Sequence, residues 1–423
     1  MFPKLRFKEF DENWKEVTLK NCITSIDSGW SPQCESYPAN SSEWGVLKTT
    51  SVDWSGFNSS FNKKLPLELT PRKEIEVKPL DILVTRAGPT ERVGVVSVVP
   101  HSVRSKLMIS DKLIRLKSNE ENNPLFLGIS LSSVKCQNQL QSKTSGLAKS
   151  QTNISQKILG EVLLKLPSKE EQTKIASFLS AVDEKISQLT KKHELLSQYK
   201  QGMMQKLFSQ QIRFKADDGS EFGEWEEKTL IDSVDTNIKW SFTGGPFGSN
   251  LKSEDYTELG IRIIQLQNIG DGAFLNDYKI YTSPEKANEL LSCNIYPDEI
   301  LISKMGDPVA RCCIVPKHHD RYVMCSDGIR LVVDKQNYSS IFMFYQINYQ
   351  DFRQSASDVS TGSTRKRIGL SDLKQLPIKV PCLEEQTKIA NFLSAIDQKI
   401  EVVAQQIEQA KTWKKGLLQQ MFV

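Results

Sequence analysis

A long internal repeat constrains this chain more than any other feature. Residues 166–208 read LPSKEEQTKIASFLSAVDEKISQLTKKHELLSQYKQGMMQKLF, and residues 380–422 read VPCLEEQTKIANFLSAIDQKIEVVAQQIEQAKTWKKGLLQQMF. The offset is 380 − 166 = 214 without a gap, and 20 of 43 positions are identical, EEQTKIA letter for letter. Weaker echoes lie upstream. Arg6-Phe7-Lys8 and Trp14 to Leu19 match Arg213-Phe214-Lys215 and Trp225 to Leu230; Ile82 to Arg86 with Gly88 matches Ile300 to Lys304 with Gly306; Ser110-Asp111 matches Ser326-Asp327. Two copies make a tandem duplication, not a solenoid of short repeats. The predicted organisation is a globular domain over 1–165, a helix over 166–211, a second globular domain over 212–379 and a second helix over 380–423.

Each tail carries a narrow apolar stripe. In the first it falls at Ile175, Phe178/Leu179, Val182, Ile186, Leu189, His193, Leu196, Tyr199, Met203 and Leu207. In the second it falls at Ile389, Leu393, Ile396, Ile400, Val403, Ile407, Ala410, Trp413, Leu417 and Met421. Steps of three and four give a period near 3.5, the signature of a helix–helix seam. The two helices are expected to pair antiparallel, with the globular units at opposite ends about a pseudo-twofold axis. Glu170 to Phe208 would span about 58 Å. Ser168-x-x-Glu171 predicts a capping box, and Glu170–Lys174 and Glu384–Lys388 predict i,i+4 ion pairs.

The globular parts alternate β-branched runs (Ile82–Thr85, Val93–Val99, Leu113–Leu116; Ile261–Leu266, Ile300–Ser303, Ile329–Val333) with Gly/Pro/Asn/Ser clusters. Phe126–Ser132 and Ile341–Tyr349 look helical. The fold class is therefore α+β: two pseudo-twofold-related mixed α/β domains joined by two long antiparallel helices, a coiled-coil spacer.

Catalytic motifs are hard to find. There is no G-x-x-x-x-G-K-[ST] loop for ATP. There is also no Gly-rich turn with an N-P-P-[YF] pocket for base methylation; Asn123-Pro124-Leu125-Phe126 only approaches it. Glu76-x-Lys78 near Asp81 forms a loose cluster of two carboxylates and a lysine that the repeat does not reproduce. Eight cysteines without a C-x-x-C pair and four histidines argue against zinc and fit a reducing cytoplasm. No apolar run approaches the roughly 20 residues that span a bilayer, and the start, MFPKLRFK, lacks a signal-peptide core. No membrane partner, metal or cofactor is expected.

Net charge is uneven. Residues 1–165 carry 23 basic and 17 acidic side chains (+6), while 212–379 carry 20 and 24 (−4). Phosphate contact must then rest on local patches. Arg365-Lys366-Arg367 follows Thr361-Gly362-Ser363-Thr364, and Lys143 and Lys149 flank Thr144-Ser145-Gly146 at the corresponding place. Basic loops rich in Ser, Thr and Gly suit phosphates and base edges, although such a run is also compatible with a merely solvated loop.

These residues resemble a known family, the specificity subunits of type I restriction–modification systems. The resemblance rests on the openings Leu5-Arg6-Phe7-Lys8-Glu9-Phe10…Trp14 and Ile212-Arg213-Phe214-Lys215…Trp225. It rests also on the closings LPSKEEQTKIASFLSAVDEKI and VPCLEEQTKIANFLSAIDQKI, and on Ile368-Gly369-Leu370-Ser371-Asp372-Leu373. It implies a non-catalytic, cytoplasmic subunit whose two domains each read half of a bipartite, asymmetric target in double-stranded DNA. The helices would dock two methylation subunits, and restriction subunits would complete an adenine methyltransferase and ATP-dependent endonuclease. S-adenosylmethionine and ATP with magnesium would bind those partners, not this chain. Candidate DNA contacts are Ser31, Lys48, Thr50, Arg86, Arg92, Lys143, Ser145 and Lys149 in the first domain. In the second they are Lys252, Gln265, Gln267, Asn268, Lys304, Arg311, Ser363, Arg365, Lys366 and Arg367. Against this stand a stand-alone nuclease or methyltransferase, and a coiled-coil adaptor without a DNA role.

Overall fold

A computed structural model describes residues 3–148, 151–246, 248–362 and 365–422. The chain forms two compact units, Met1–Thr190 with Gln405–Val423, and Lys191–Ala404. Both long helices are present, as Lys169–Phe208 and Leu383–Met421. The compact units therefore run past the ends of the globular sequence segments and take in parts of both helices.

The two units share the topology of their central sheet. In the first, a four-stranded antiparallel sheet has the spatial order Ile23–Ser28, Leu113–Ser118, Ile82–Thr85, Val96–Val98. In the second, the order is Phe242–Gly244, Gly328–Leu331, Ile300–Ser303, Cys312–Ile314. A second sheet accompanies each, of three strands in the first unit and five in the second, and contains a parallel pair, Gly45–Leu47 with Leu107–Met108 and Ile261–Ile264 with Tyr322–Met324. The register places Leu113 opposite Thr85 and Gly328 opposite Ser303. Lys112 thus corresponds to Asp327, and the Ser-Asp match read from sequence is one residue out of step.

Central strands are buried on both faces, and their alternation sorts them into two cores. Ile82 and Val84 face a helical core with Phe126 and Leu127, while Leu83 faces the smaller sheet with Leu107 and Met108. Ile300 and Ile302 likewise join Phe342 and Ile347, while Leu301 joins Tyr322 and Met324. The helices Pro124–Leu131 and Ser340–Asn348 supply those cores, close to their predicted positions. Asn123, in the motif that approached a methylase pocket, is the N-cap of the first, accepting from the amides of Leu125 and Phe126.

The long helices do more than form a seam. Ile175, Leu179 and Val182 belong to the first unit's core, joined there by Leu417 and Met421, with Ile186 packed at its margin. Ile389, Leu393 and Ile396 belong to the second unit's core with Leu207 and Phe208, and Ile400 packs at its margin. The stripes thus meet one another within each unit, as expected, and beyond that expectation the ends of both helices also complete the globular cores. Leu189, Val403 and Ile407 are buried outside those cores, Leu196 is half-buried, and Tyr199 and Trp413 are about half exposed despite lying on the stripe. Within each unit the helix segments run antiparallel. Asp183 pairs with Lys414 at 2.5 Å in the first, and its repeat counterpart Asp397 pairs with Lys200 at 2.6 Å in the second.

The repeated Glu-Gln explains its own recurrence. Glu171, 1% exposed, accepts two 2.7 Å bonds from Arg6 and one from the Trp14 indole at 3.4 Å. Glu385, fully buried, accepts from Arg213 at 3.1 and 2.7 Å and from Trp225 at 3.2 Å. Gln172 and Gln386 accept from the backbone amides of Asn123 and Ser339, the caps of the two core helices. The predicted capping box is half formed: Ser168 Oγ accepts from the Glu171 amide at 3.4 Å, but the Glu171 carboxylate is committed to Arg6. Lys174 pairs with Glu9 instead of Glu170, and Lys388 favours Asp217 at 2.5 Å over Glu384 at 4.0 Å.

The presence of Gly245 has a steric cause. A Cβ on Gly245 would stand 1.6 Å from the Cys325 carbonyl oxygen, and on the corresponding Gly29 it would stand 2.0 Å from that of Ile109. Gly245→Ala should therefore destabilise the chain by about 1–3 kcal/mol, the cost of overpacking. Gly244→Ala, with nothing within 4 Å of the added carbon, should not. Equal thermal midpoints for the two variants would refute the steric account.

Candidate nucleic-acid interface

In the first unit Arg86, Arg92 and Ser31 stand around the loop that leaves strand Ile82–Thr85. That loop pairs with the hairpin strand Gln151–Asn153, Gly88 opposite Thr152 and Ala87 opposite Asn153. Arg86 donates its amide to the Lys112 carbonyl at 2.8 Å and accepts from the Ile154 amide at 3.0 Å. Ser31 is exposed and its hydroxyl accepts from the Asp111 amide at 3.1 Å, which brings it to the same corner. Arg92 donates to the Val52 carbonyl at 2.7 Å and lies 3.4 Å from Asp53. Its guanidinium thus fastens the turn beside half-buried Lys48 and exposed Thr50. Lys143 is exposed, 3.9 Å from Glu161. Ser145 starts a hairpin strand, and Lys149 lies outside the described residues.

The second unit repeats this mount. Lys304 donates its amide to the Asp327 carbonyl at 2.7 Å and accepts from the Ile368 amide at 3.0 Å. Thr361 and Arg367 exchange two backbone hydrogen bonds, at 2.9 and 2.8 Å, and Gly306 donates to the Lys366 carbonyl at 3.0 Å. Arg365 is exposed; the Lys366 ammonium is bonded to the Ser357 hydroxyl. Arg311 is half-buried, and its Nε finds no partner among the described residues. Gln265 donates to the Tyr256 hydroxyl at 3.2 Å and, with Cys325, Ser326 and Asp327, lines a cleft of about 160 Å³. Gln267 and Lys252 are exposed outside that hydrogen-bonded frame, and Ser363 lies outside the described residues. Asn268 is a correction. It is fully buried, donating to the carbonyls of Leu275 and Tyr278 and accepting from the Gln265 amide, so it holds a turn instead of facing a base. Two further polar residues stand on these mounts: Asp327, the partner of Arg367, and Asn153. The gapless offset already points to the second, since 367 − 214 = 153.

Burial pushes the Cys325 thiol up to about 11, so beside the cleft it stays protonated and non-nucleophilic at neutral pH. The cluster of Glu76, Lys78 and Asp81 is structural: Asp81 is buried, accepts from the Lys78 amide at 2.8 Å and lies 3.8 Å from Arg115, while Glu76 pairs with Lys78. Burial holds the Asp81 carboxyl above its ordinary range. Among the described residues no group of three or more His, Cys, Asp or Glu is placed to hold a metal ion. No described helix is long and apolar enough to cross a membrane.

Comparison with known proteins converges on one description. A family model described as the type I restriction modification DNA specificity domain matches residues 34–197 and 267–412, well over half of the chain and in both copies. The EcoEI type I restriction enzyme specificity subunit of Escherichia coli is 40% identical over 171 residues, which is 40% of this chain and 29% of that protein. The MjaVIII type I restriction enzyme specificity subunit of Methanocaldococcus jannaschii is 27% identical over 364 residues, 82% of this chain and 79% of that one. Among solved structures, the S subunit of a type I restriction–modification system from M. genitalium has the same fold. Its TM-score is 0.61 at 17% identity, over 100% of this chain and 99% of that chain.

Proposed function

The chain belongs to the type I restriction–modification DNA specificity family and is a specificity subunit with two recognition domains; from that premise we propose that each unit reads one half of a bipartite, asymmetric target in double-stranded DNA. The observation that carries this reading is the twin mount. One hydrogen-bonded frame is built twice, and the side chains it presents differ between copies. A protein that read a palindrome as a symmetric pair would present the same side chains twice. The acidic balance of the second unit is tolerable if partner subunits supply part of the phosphate grip.

The long helices would dock two methylation subunits, with restriction subunits joining for cleavage. Exposed Trp413 in the first unit and exposed Leu195 and Tyr199 in the second give these helices apolar surface for such partners. S-adenosylmethionine and ATP with magnesium would serve the partners, making the assembled complex an adenine methyltransferase and ATP-dependent endonuclease that works in the cytoplasm. Trp413→Asp is expected to weaken association with the methylation subunit at least tenfold in gel filtration, with the thermal midpoint read alongside because the ring also meets Phe178 edge-on. Unchanged association would remove Trp413 from that interface.

The test of the reading is methylome sequencing of the host with and without the gene. One bipartite methylated motif should vanish on deletion. A methylome that deletion leaves untouched, or a lost motif that is continuous, would sink it.

A further inference from the structure

The duplication allows one residue of each mount to be compared on a common frame. Ile154 and Ile368 are both fully buried, and each amide donates at 3.0 Å to the carbonyl of the residue just past the central strand, Arg86 or Lys304. The preceding residue is bridged to the next loop position, Asn153 to Ala87 and Arg367 to Met305. Both also close their hairpins, opposite Ser145 and Thr361. The backbone pairings therefore correspond while the exposed side chain changes from asparagine to arginine. A position whose frame is retained and whose side chain is free to differ is where a duplicated reader would store sequence information.

The arginine is also mounted for the task. Its side chain is 49% exposed, and Nη2 donates to Asp327 Oδ1 at 3.0 Å, with the Met305 sulfur at 3.6 Å. Asp327, 17% exposed, is fixed in turn, because its own carbonyl accepts the Lys304 amide. A carboxylate behind a guanidinium limits its rotation and leaves the fork's remaining donors for a ligand. The thioether is a weak acceptor that a stronger one displaces. In the major groove the acceptor pair matched to that fork is O6 and N7 of guanine, whereas asparagine matches adenine. We propose that position 367, buttressed by Asp327, reads a guanine in the half-site of the second unit, and that position 153 is its counterpart in the first. This rests on the reading of two half-site domains proposed above.

The test uses the full chain assembled with its methylation subunits and a panel of duplexes, each base pair of the second unit's half-site replaced in turn. Arg367→Ala should flatten discrimination at a single guanine by about tenfold to a hundredfold and leave every other position unchanged. Arg367→Lys keeps the charge but not the fork, and should lose most of the same discrimination. Arg367→Asn, the first unit's residue, should lose the guanine preference at that position, and a gain for adenine would strengthen the case. Asp327→Asn should blunt it in the same place, with the thermal midpoint as a check on folding. Uniform weakening across the panel would mark a phosphate or structural contact and overturn the proposal, as would an unchanged profile or a half-site lacking guanine. In each of those cases a bipartite motif would persist, so failure here is distinguishable from failure of the two-domain reading.

Discussion

Replacing Arg213 by alanine is expected to destabilise the protein by about 3–5 kcal/mol, more than replacing its partner Glu385. The asymmetry follows from burial. Glu385 is fully buried and Arg213 is 21% exposed, so removing the arginine strands a carboxylate that water cannot reach, with the Trp225 indole still donating. Breaking a buried pair in this way costs several kcal/mol because desolvation of the remaining charge is no longer compensated. Removing the glutamate leaves an arginine that can turn towards solvent, and a smaller loss. Arg6 and Glu171 should behave alike, with Arg6→Ala the worse of the two. Denaturant midpoints followed by tryptophan fluorescence report both sites, since Trp14 and Trp225 touch the carboxylates. The double replacement of Arg213 and Glu385 by leucines should recover much of the loss. If Arg213→Ala and Glu385→Ala shifted the midpoint equally and by little, the anchor would be ornamental.

That anchor shows what the sequence makes legible and what it does not. The repeat, the helix bounds and the central strands are visible because periodicity and β-branched runs are local signals. The role of Glu171 is not, because its partners stand at positions 6 and 14 and only the fold brings them near. A local rule, the capping box, competes for the same carboxylate and loses to a bidentate guanidinium, which is the stronger acceptor–donor match. The stripe's contact with the domain cores is hidden for a related reason. A period near 3.5 cannot say whether the apolar surface meets a helix or a domain core, and here Ile175 and Ile389 meet cores. At the interface, residue type alone ranks Asn268 with Gln265, yet one is sealed under carbonyls and the other lines a cleft. Arg367 and Asn153 are legible in principle, because the gapless offset reaches them before the repeat becomes recognisable by identity.

The repeated anchor makes an unusual chimera feasible. Each globular part meets the long helices through the same contacts: an arginine and a tryptophan on the buried glutamate, and a core-helix cap on the following glutamine. Residues 212–379 placed where 1–165 stand should therefore fold onto Glu171 and Gln172 as they do onto Glu385 and Gln386. If each unit reads its own half-site, the complex carrying this chimera should methylate a motif in which the second unit's half appears twice and the first unit's half is gone. Grafting a globular part from another specificity subunit in place of 1–165 should alter the first half alone. Methylome sequencing reads both outcomes directly, because each half is either retained or replaced as a block. Change in both halves after the single graft would mean that recognition is shared between the units. An assembled chimera that still methylated the parental motif would mean that the globular parts do not carry the specificity. Modularity on this account has a physical basis in the duplicated Arg–Glu–Trp anchor, so a graft that lacks the arginine should fail to assemble even when its recognition loops are intact.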